Sequence, residues 1–187
     1  RRIIYYRNYQ IKKIKKFSSK IYSTSENVKK DLVEHYSFSP EKIKVTGFTP
    51  MRLEQGLPKP KKFDEDFFLI ANQLWQHKNH IFAIKAFKEY VDKNQDHNTM
   101  LYCTGYIHDH RDSTHSSSIF DLIEKLNLTS RVKFLGYLNR KEFLKYLISS
   151  KAVIQPTLFE GSPGGFSVAD AVAYGVPVLL SDIPINR

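Results

Sequence analysis

From residue 67 onward, short apolar runs alternate with stretches of helical spacing, and a polar turn separates each pair. Phe67–Ala71 is a continuous apolar run and predicts a buried strand. Residues 78–93 place Ile81, Ile84, Phe87 and Val91 on one helical face. Thr99–Cys103 reads as a strand, residues 105–116 as a polar loop and Ser118–Leu126 as a helix. Val132–Leu135 is a strand that Gly136 ends, and Arg140–Ser149 is a helix. Ala152–Gln155 is a strand, residues 166–174 form a helix stopped by Gly175, and Val176–Leu180 is a last strand. Strands and helices in strict alternation predict an α/β fold, a Rossmann-like parallel sheet with helices on both faces. Right-handed crossovers follow. Ligands of such sheets sit beyond the carboxyl ends of the strands. The loops of interest are therefore 72–79, 104–117, 136–139, 156–165 and 181–187.

The first part of the chain is patterned differently. Residues 2–18 predict a helix and Lys20–Ser23 a short strand. Ser25 stands where a helix N-cap belongs, ahead of Val28, Leu32, Val33 and Tyr36. Ser39–Lys42 is a turn and Ile43–Thr46 a strand. Residues 48–66 hold Pro50, Gly56, Pro58 and Pro60 with few apolar positions, the pattern of an interdomain linker. The expected division is residues 1–50, the end of one domain; 51–66, a linker; and 67–187, a second domain. The chain opens on Arg1 inside a basic stretch and ends at Arg187 just past a strand, so a fragment is expected.

Composition narrows the class. Hydrophobic residues make up 41%, ordinary for a globular protein, and the apolar runs are too short for a membrane span or a signal peptide. The single cysteine, Cys103, excludes an internal disulfide and fits a reducing compartment. Its apolar neighbours predict a buried, inert thiol. The net charge is +10, and residues 1–20 carry Arg1, Arg2, Arg7, Lys12, Lys13, Lys15, Lys16 and Lys20 without an acid. Such a segment is a solvated helix face, an anionic-membrane contact or a nucleic-acid contact. Ile3, Ile4, Tyr5, Tyr6, Ile11 and Ile14 supply an apolar face, which favours membrane over nucleic acid.

Two loops carry chemistry. Pro156–Phe166 lies between a strand and a helix and holds Gly161, Gly164 and Gly165. Gly164 and Gly165 directly precede the helix, whose N-terminal N–H groups make an anion site that glycine lets a phosphate approach. Glu160 at the strand's exit is a poor choice for a plain turn. The loop lacks the Gly-Lys-Ser/Thr of a Walker A motif and the Gly-x-Gly-x-x-Gly of dinucleotide folds. In Asn72–Asn79, Lys78 stands near a helix start, where a cation has no support from the dipole and an anionic ligand would explain it. His108, Asp109, His110, Arg111, Asp112 and His115 match no standard zinc spacing and are expected in a mobile surface loop.

These residues resemble a family. Phe159-Glu160-Gly161 followed by Asp170–Val178 is similar to the signature of the group 1 (family 4) retaining glycosyltransferases of the GT-B fold. Phe68–Asn79, Arg131–Leu138 and Ile21–Glu26 resemble other segments of that family in the right order. The resemblance implies two Rossmann-like domains, the second binding a nucleotide sugar and the first an acceptor. It gives Glu160 and Lys78 the catalytic roles, Glu160 toward sugar hydroxyls and Lys78 toward the diphosphate. Asp170 matches the acid that holds the ribose. Gly164, Gly165, Phe166 and Ser167 would meet phosphate or sugar, and Gly136, Tyr137 and Leu138 would flank the base. Gln73 occupies the place of the usual phosphate arginine and brings no charge. Nine residues, against the family's seven, separate Glu160 from Asp170, a two-residue insertion. Asp170 is also shorter than the usual glutamate.

The implied activity is transfer of a hexose with retention of configuration, in cell-surface polysaccharide or lipopolysaccharide synthesis. No cofactor and no metal are expected. The implied partners are a nucleotide-sugar donor and a glycan or lipid-linked acceptor, with no nucleic acid. The expected location is cytoplasmic, with peripheral membrane contact through residues 1–20. A non-catalytic nucleotide-sugar sensor and a basic nucleic-acid-binding domain are the competing readings.

Overall fold

The computed structural model describes residues 2–47, 60, 62–109, 112, 114–162 and 164–187. Most of the predicted linker lies outside them. The chain forms two compact units, one of residues 1–49 with 161–163, the other of residues 50–160 and 164–187.

The first unit is built from helix α1 (Arg2–Phe17), strand β1 (Ile21–Ser23), helix α2 (Glu26–Tyr36) and strand β2 (Ile43–Val45). Strands β1 and β2 pair in parallel, Ile21 opposite Ile43. Ser25 is the N-cap of α2: its extended backbone turns its hydroxyl to accept from the Val28 N–H at 3.2 Å. Helix α1 leaves Ile4, Tyr5, Tyr6, Tyr9, Ile14 and Phe17 exposed beside its lysines. No helix among the described residues is long and apolar enough to cross a membrane.

The second unit is the expected parallel sheet. Its strands are β3 (Phe67–Ala71), β4 (Met100–Thr104), β5 (Val132–Gly136), β6 (Ala152–Gln155) and β7 (Val178–Leu180), in the order β5-β4-β3-β6-β7. The helices are α3 (His80–Asn94), α4 (His115–Lys125), α5 (Arg140–Ser149) and α6 (Gly165–Ala173). Alternate strand residues feed two cores. Ile70, Leu101 and Cys103 pack with Ala83, Ile84 and Phe87 of α3 and Ile119 and Ile123 of α4. Phe67, Leu69, Met100 and Tyr102 pack with Leu147 of α5 and Ala171 of α6 on the other face. Cys103 is buried, and burial pushes its thiol up to about 12, as an inert core cysteine requires.

Three boundaries differ from the sequence reading by two residues or more. Helix α4 begins at His115, inside the expected polar loop, because Asp112 accepts from the Thr114 N–H (3.0 Å) and hydroxyl and turns the chain into the helix. His115, Ser116 and Asp109 are buried rather than on a surface loop; His110 and Arg111 lie outside the described residues. Lys78 is not at the start of α3: it closes a 3-10 turn, Gln76–Lys78, and left-handed Asn79 separates it from the helix. Strand β7 begins at Val178 because the Val176 N–H still bonds back to Ala171 and Pro177 has no N–H to give.

Candidate functional site

Chain direction across the sheet reverses at β3 and β6. From β3 the chain steps outward to β4 and β5, then returns to place β6 on the other side of β3. The crevice beyond their carboxyl ends is the topological switch point, where ligands of open α/β sheets bind. The two loops singled out by sequence flank it. They are joined by backbone: the Leu158 N–H donates to the His77 carbonyl at 2.8 Å, and the buried Thr157 hydroxyl lies 3.1 Å from the same oxygen. The His77 ring stacks on Phe159 with centroids 4.5 Å apart.

This junction brings Lys78 and Glu160 into an ion pair. Both side chains are largely buried, at 10% and 14% exposure. Glu160 also accepts from the Gln155 side-chain amide at 2.9 Å, and the Ser167 hydroxyl reaches the Gln155 carbonyl oxygen at 3.4 Å. A polar chain Lys78–Glu160–Gln155–Ser167 thus runs from the β3 loop to the first turn of α6. Gln155 is buried at the end of a core strand, where an unpaired amide would be costly. Gln155 is not among the residues expected at the site, although a glutamine closing an apolar strand is a signal the sequence carries.

Gly164, at φ 59°, precedes α6, and its N–H donates to the Asn186 side chain at 3.1 Å. A side chain at Gly164 would put its Cβ 2.5 Å from Val168. Gly165 follows at φ 68° with room around it. The first turn, Gly165-Phe166-Ser167, has no capping side chain at Gly164, so the positive end of the helix faces the loop. Phe166 is exposed.

Asp170 lies one turn further along α6 and is buried. Its carboxylate is gripped at both oxygens by Arg140, Nη2 to Oδ1 at 2.9 Å and Nη1 to Oδ2. Arg140 opens α5, whose N-cap Asn139 accepts from the Glu142 N–H at 3.0 Å. At the next turn, the Gly136 carbonyl accepts from the Gly105 N–H (2.9 Å) and the Thr104 hydroxyl (2.7 Å). Tyr137 is exposed and stacks on Tyr106, centroids 5.4 Å apart; Leu138 is half-buried. Gln73 is half-buried, and its carbonyl accepts from the Trp75 N–H. Tyr106, Arg140 and Asn186 were not anticipated as site residues, because each is tied to the site only through a partner distant in sequence.

Beneath the β3 loop sits His80, fully buried at the first residue of α3. Neither ring nitrogen has a hydrogen-bond partner of normal geometry among the described residues. Burial pushes its pKa down from 6.5 to about 4; nearby His115 and Lys78 push the same way and the Asn72 backbone opposes. The unfolded chain therefore takes up a proton near pH 6.5 that the folded chain refuses until about pH 4. Stability falls as pH drops through that window, by about 3 kcal/mol from this residue. Denaturant unfolding at pH 7, 5.5 and 4.5 should show that slope in the wild type and a flatter one in His80→Gln. Equal slopes would contradict it.

Among the described residues no group of three or more His, Cys, Asp or Glu is arranged to hold a metal ion. What the site offers is two ion pairs, Lys78–Glu160 and Arg140–Asp170, and the N-terminus of α6. That set suits a polyhydroxylated ligand bearing a phosphate anion.

A family model described as glycosyl transferases group 1 matches residues 54–187. The chain is 28% identical over 166 residues to the O-antigen chain mannosyltransferase RfbU of Salmonella typhimurium, which covers 88% of this chain and 42% of RfbU. Among solved structures it resembles Anabaena HepE in complex with UDP and glucose, with a TM-score of 0.76, 16% identity, 92% of this chain and 47% of that one. It also resembles WaaG, a glycosyltransferase involved in lipopolysaccharide biosynthesis, with a TM-score of 0.73, 19% identity, 90% of this chain and 45% of that one. At these identities the structural likeness establishes the fold alone. The chain spans less than half the length of the relatives it matches.

Proposed function

The chain belongs to the group 1 glycosyl transferases, and from that premise we propose that it is the donor-binding part of an enzyme transferring a hexose from a nucleotide-diphosphate sugar. The acceptor is a glycan or lipid-linked glycan, the configuration is retained, and the product is cell-surface polysaccharide or lipopolysaccharide. RfbU's name, an O-antigen chain mannosyltransferase, supports the product class. HepE's complex with UDP and glucose supports the donor class. The observation that carries the reading is the Lys78–Glu160 pair at the switch point, beside the N-terminus of α6.

The chemistry asked of the site is departure of a nucleoside diphosphate from an anomeric carbon. Negative charge grows on the bridging phosphate oxygen, and fixed positive groups there lower the barrier. Lys78 and the first turn of α6 supply them, in a reaction that calls on no metal ion. A diphosphate entering the crevice takes over Lys78 as partner, which frees Glu160 to accept from sugar hydroxyls. Asp170 receives the ribose, and Gly136–Leu138 flank the base. Gln73 contributes hydrogen bonding without charge. The basic, apolar face of α1 suits an anionic membrane surface on the cytoplasmic side.

Calorimetric titration of the intact protein with GDP, UDP and ADP, and then with their sugars, tests this reading. One base series should bind, and its sugar should be turned over in the presence of acceptor. Binding without turnover would favour a nucleotide-sugar sensor, and no binding at all would remove the donor reading.

A further inference from the structure

We propose that Arg140 is a positioning residue of the donor site: it presents the Asp170 carboxylate to the ribose hydroxyls. The inference rests on the donor reading above and deepens it. Asp170 is 3% exposed, and burying a carboxylate is costly unless it is paired and hydrogen-bonded. Arg140 meets it bidentately. A guanidinium fork fixes the plane of a carboxylate as no single-point contact can. The fork occupies two of the roughly four lone-pair sites on the carboxylate, so the remainder can accept from a diol.

The place of Arg140 is itself informative. It is the first residue of α5, where the helix dipole disfavours a cation and an acid would be the stabilising choice. Its side chain stays 29% exposed while that of Asp170 is 4% exposed, so the pair reaches the protein surface at the arginine. The same turn carries Tyr137 and Leu138, the residues read as flanking the base. Arg140 therefore ties the base-side turn to the helix that carries the ribose acid. Its guanidinium also lies 5.9 Å from the centre of the Phe143 ring, which steadies it from its own helix.

A purely structural staple makes a different prediction from a ribose-positioning one. The measurement is the dissociation constant of whichever of GDP, UDP or ADP binds the intact wild-type protein, against that of its 2′,3′-dideoxy counterpart. The wild type should prefer the ribose form by about ten-fold or more, the scale of hydrogen bonds to a charged acceptor. Asp170→Asn should lose that preference. Arg140→Gln should lose it equally, and the double variant should lose no more than either. Arg140→Lys, with one contact point, should fall between. The dideoxy form should bind all variants alike, and thermal unfolding should show each to be folded. If Arg140→Gln does not fold, Arg140→Lys carries the comparison. A wild-type preference kept intact in folded Arg140 variants would overturn the proposal, as would a wild type that does not discriminate. Absence of any nucleotide binding by the wild type would instead remove the donor reading beneath it.

Discussion

Lys78→Ala should lower kcat/KM for donor turnover by about 10²-fold or more, with most of the loss in kcat. The magnitude follows from losing one preorganised positive group aimed at a developing oxyanion. The division between kcat and KM follows from timing, because the leaving group's charge is larger in the transition state than in the bound donor. The loss has a second component. Lys78 and Glu160 are largely buried against each other, so alanine leaves Glu160 with Gln155 as its remaining side-chain partner among the described residues. A partly buried carboxylate in that condition repels an incoming diphosphate as well as failing to be neutralised. Steady-state kinetics on the intact protein, with the melting temperature recorded alongside, checks both components. Turnover near the wild-type rate in a folded variant would sink the assignment of Lys78.

Gly105→Ala should cost about 3 kcal/mol of stability and weaken donor binding in the protein that still folds. Gly105 has φ 128°, a region that side chains rarely enter. An added Cβ would also stand 2.7 Å from the Asn72 carbonyl oxygen and 2.9 Å from the Gln73 nitrogen. Both are backbone atoms and cannot swing aside. Gly105 is where three loops stack: its N–H bonds to Gly136, and the Tyr106 carbonyl beside it accepts from the Leu74 N–H at 3.0 Å. Pushing residues 72–73 away shifts the loop that delivers Lys78. Gly175→Ala is the control, since that glycine is also left-handed, at φ 70°, but faces open space. Chemical denaturation should place the Gly105 variant well below the Gly175 variant; equal losses would mean that the contact with the β3 loop is immaterial.

Much of the sheet was legible because its signals are local. Phe67–Ala71, Ala152–Gln155 and Arg140–Ser149 form the expected elements at the expected residues, each being an apolar run or a periodic stretch bounded by turn residues. The start of α4 was not legible, because His115 and Ser116 lie in a run with the composition of a loop, and it is the fold that buries both, with the Ser116 hydroxyl donating to the distant Ile107 carbonyl. The same distinction divides the site. Glu160 stood out as an acid at a strand exit and Lys78 as a cation near a helix start, and the fold brings them together across 82 positions. The Arg140–Asp170 pair was hidden, since nothing near Arg140 in sequence marks it as the partner of a residue 30 positions away. Spacing reports which face a residue occupies. It does not report which of several facing side chains will pair.

Cys103 offers a practical handle on nucleotide capture. A thiol shifted up to about 12 and enclosed by core residues is almost wholly protonated at neutral pH and out of reach of maleimides. It is the one cysteine of this chain. A reporter cysteine placed at exposed Phe159 or Tyr137 would therefore take up a fluorophore in this chain without background labelling. The emission of that fluorophore could then follow nucleotide capture in real time, one edge of the crevice at a time.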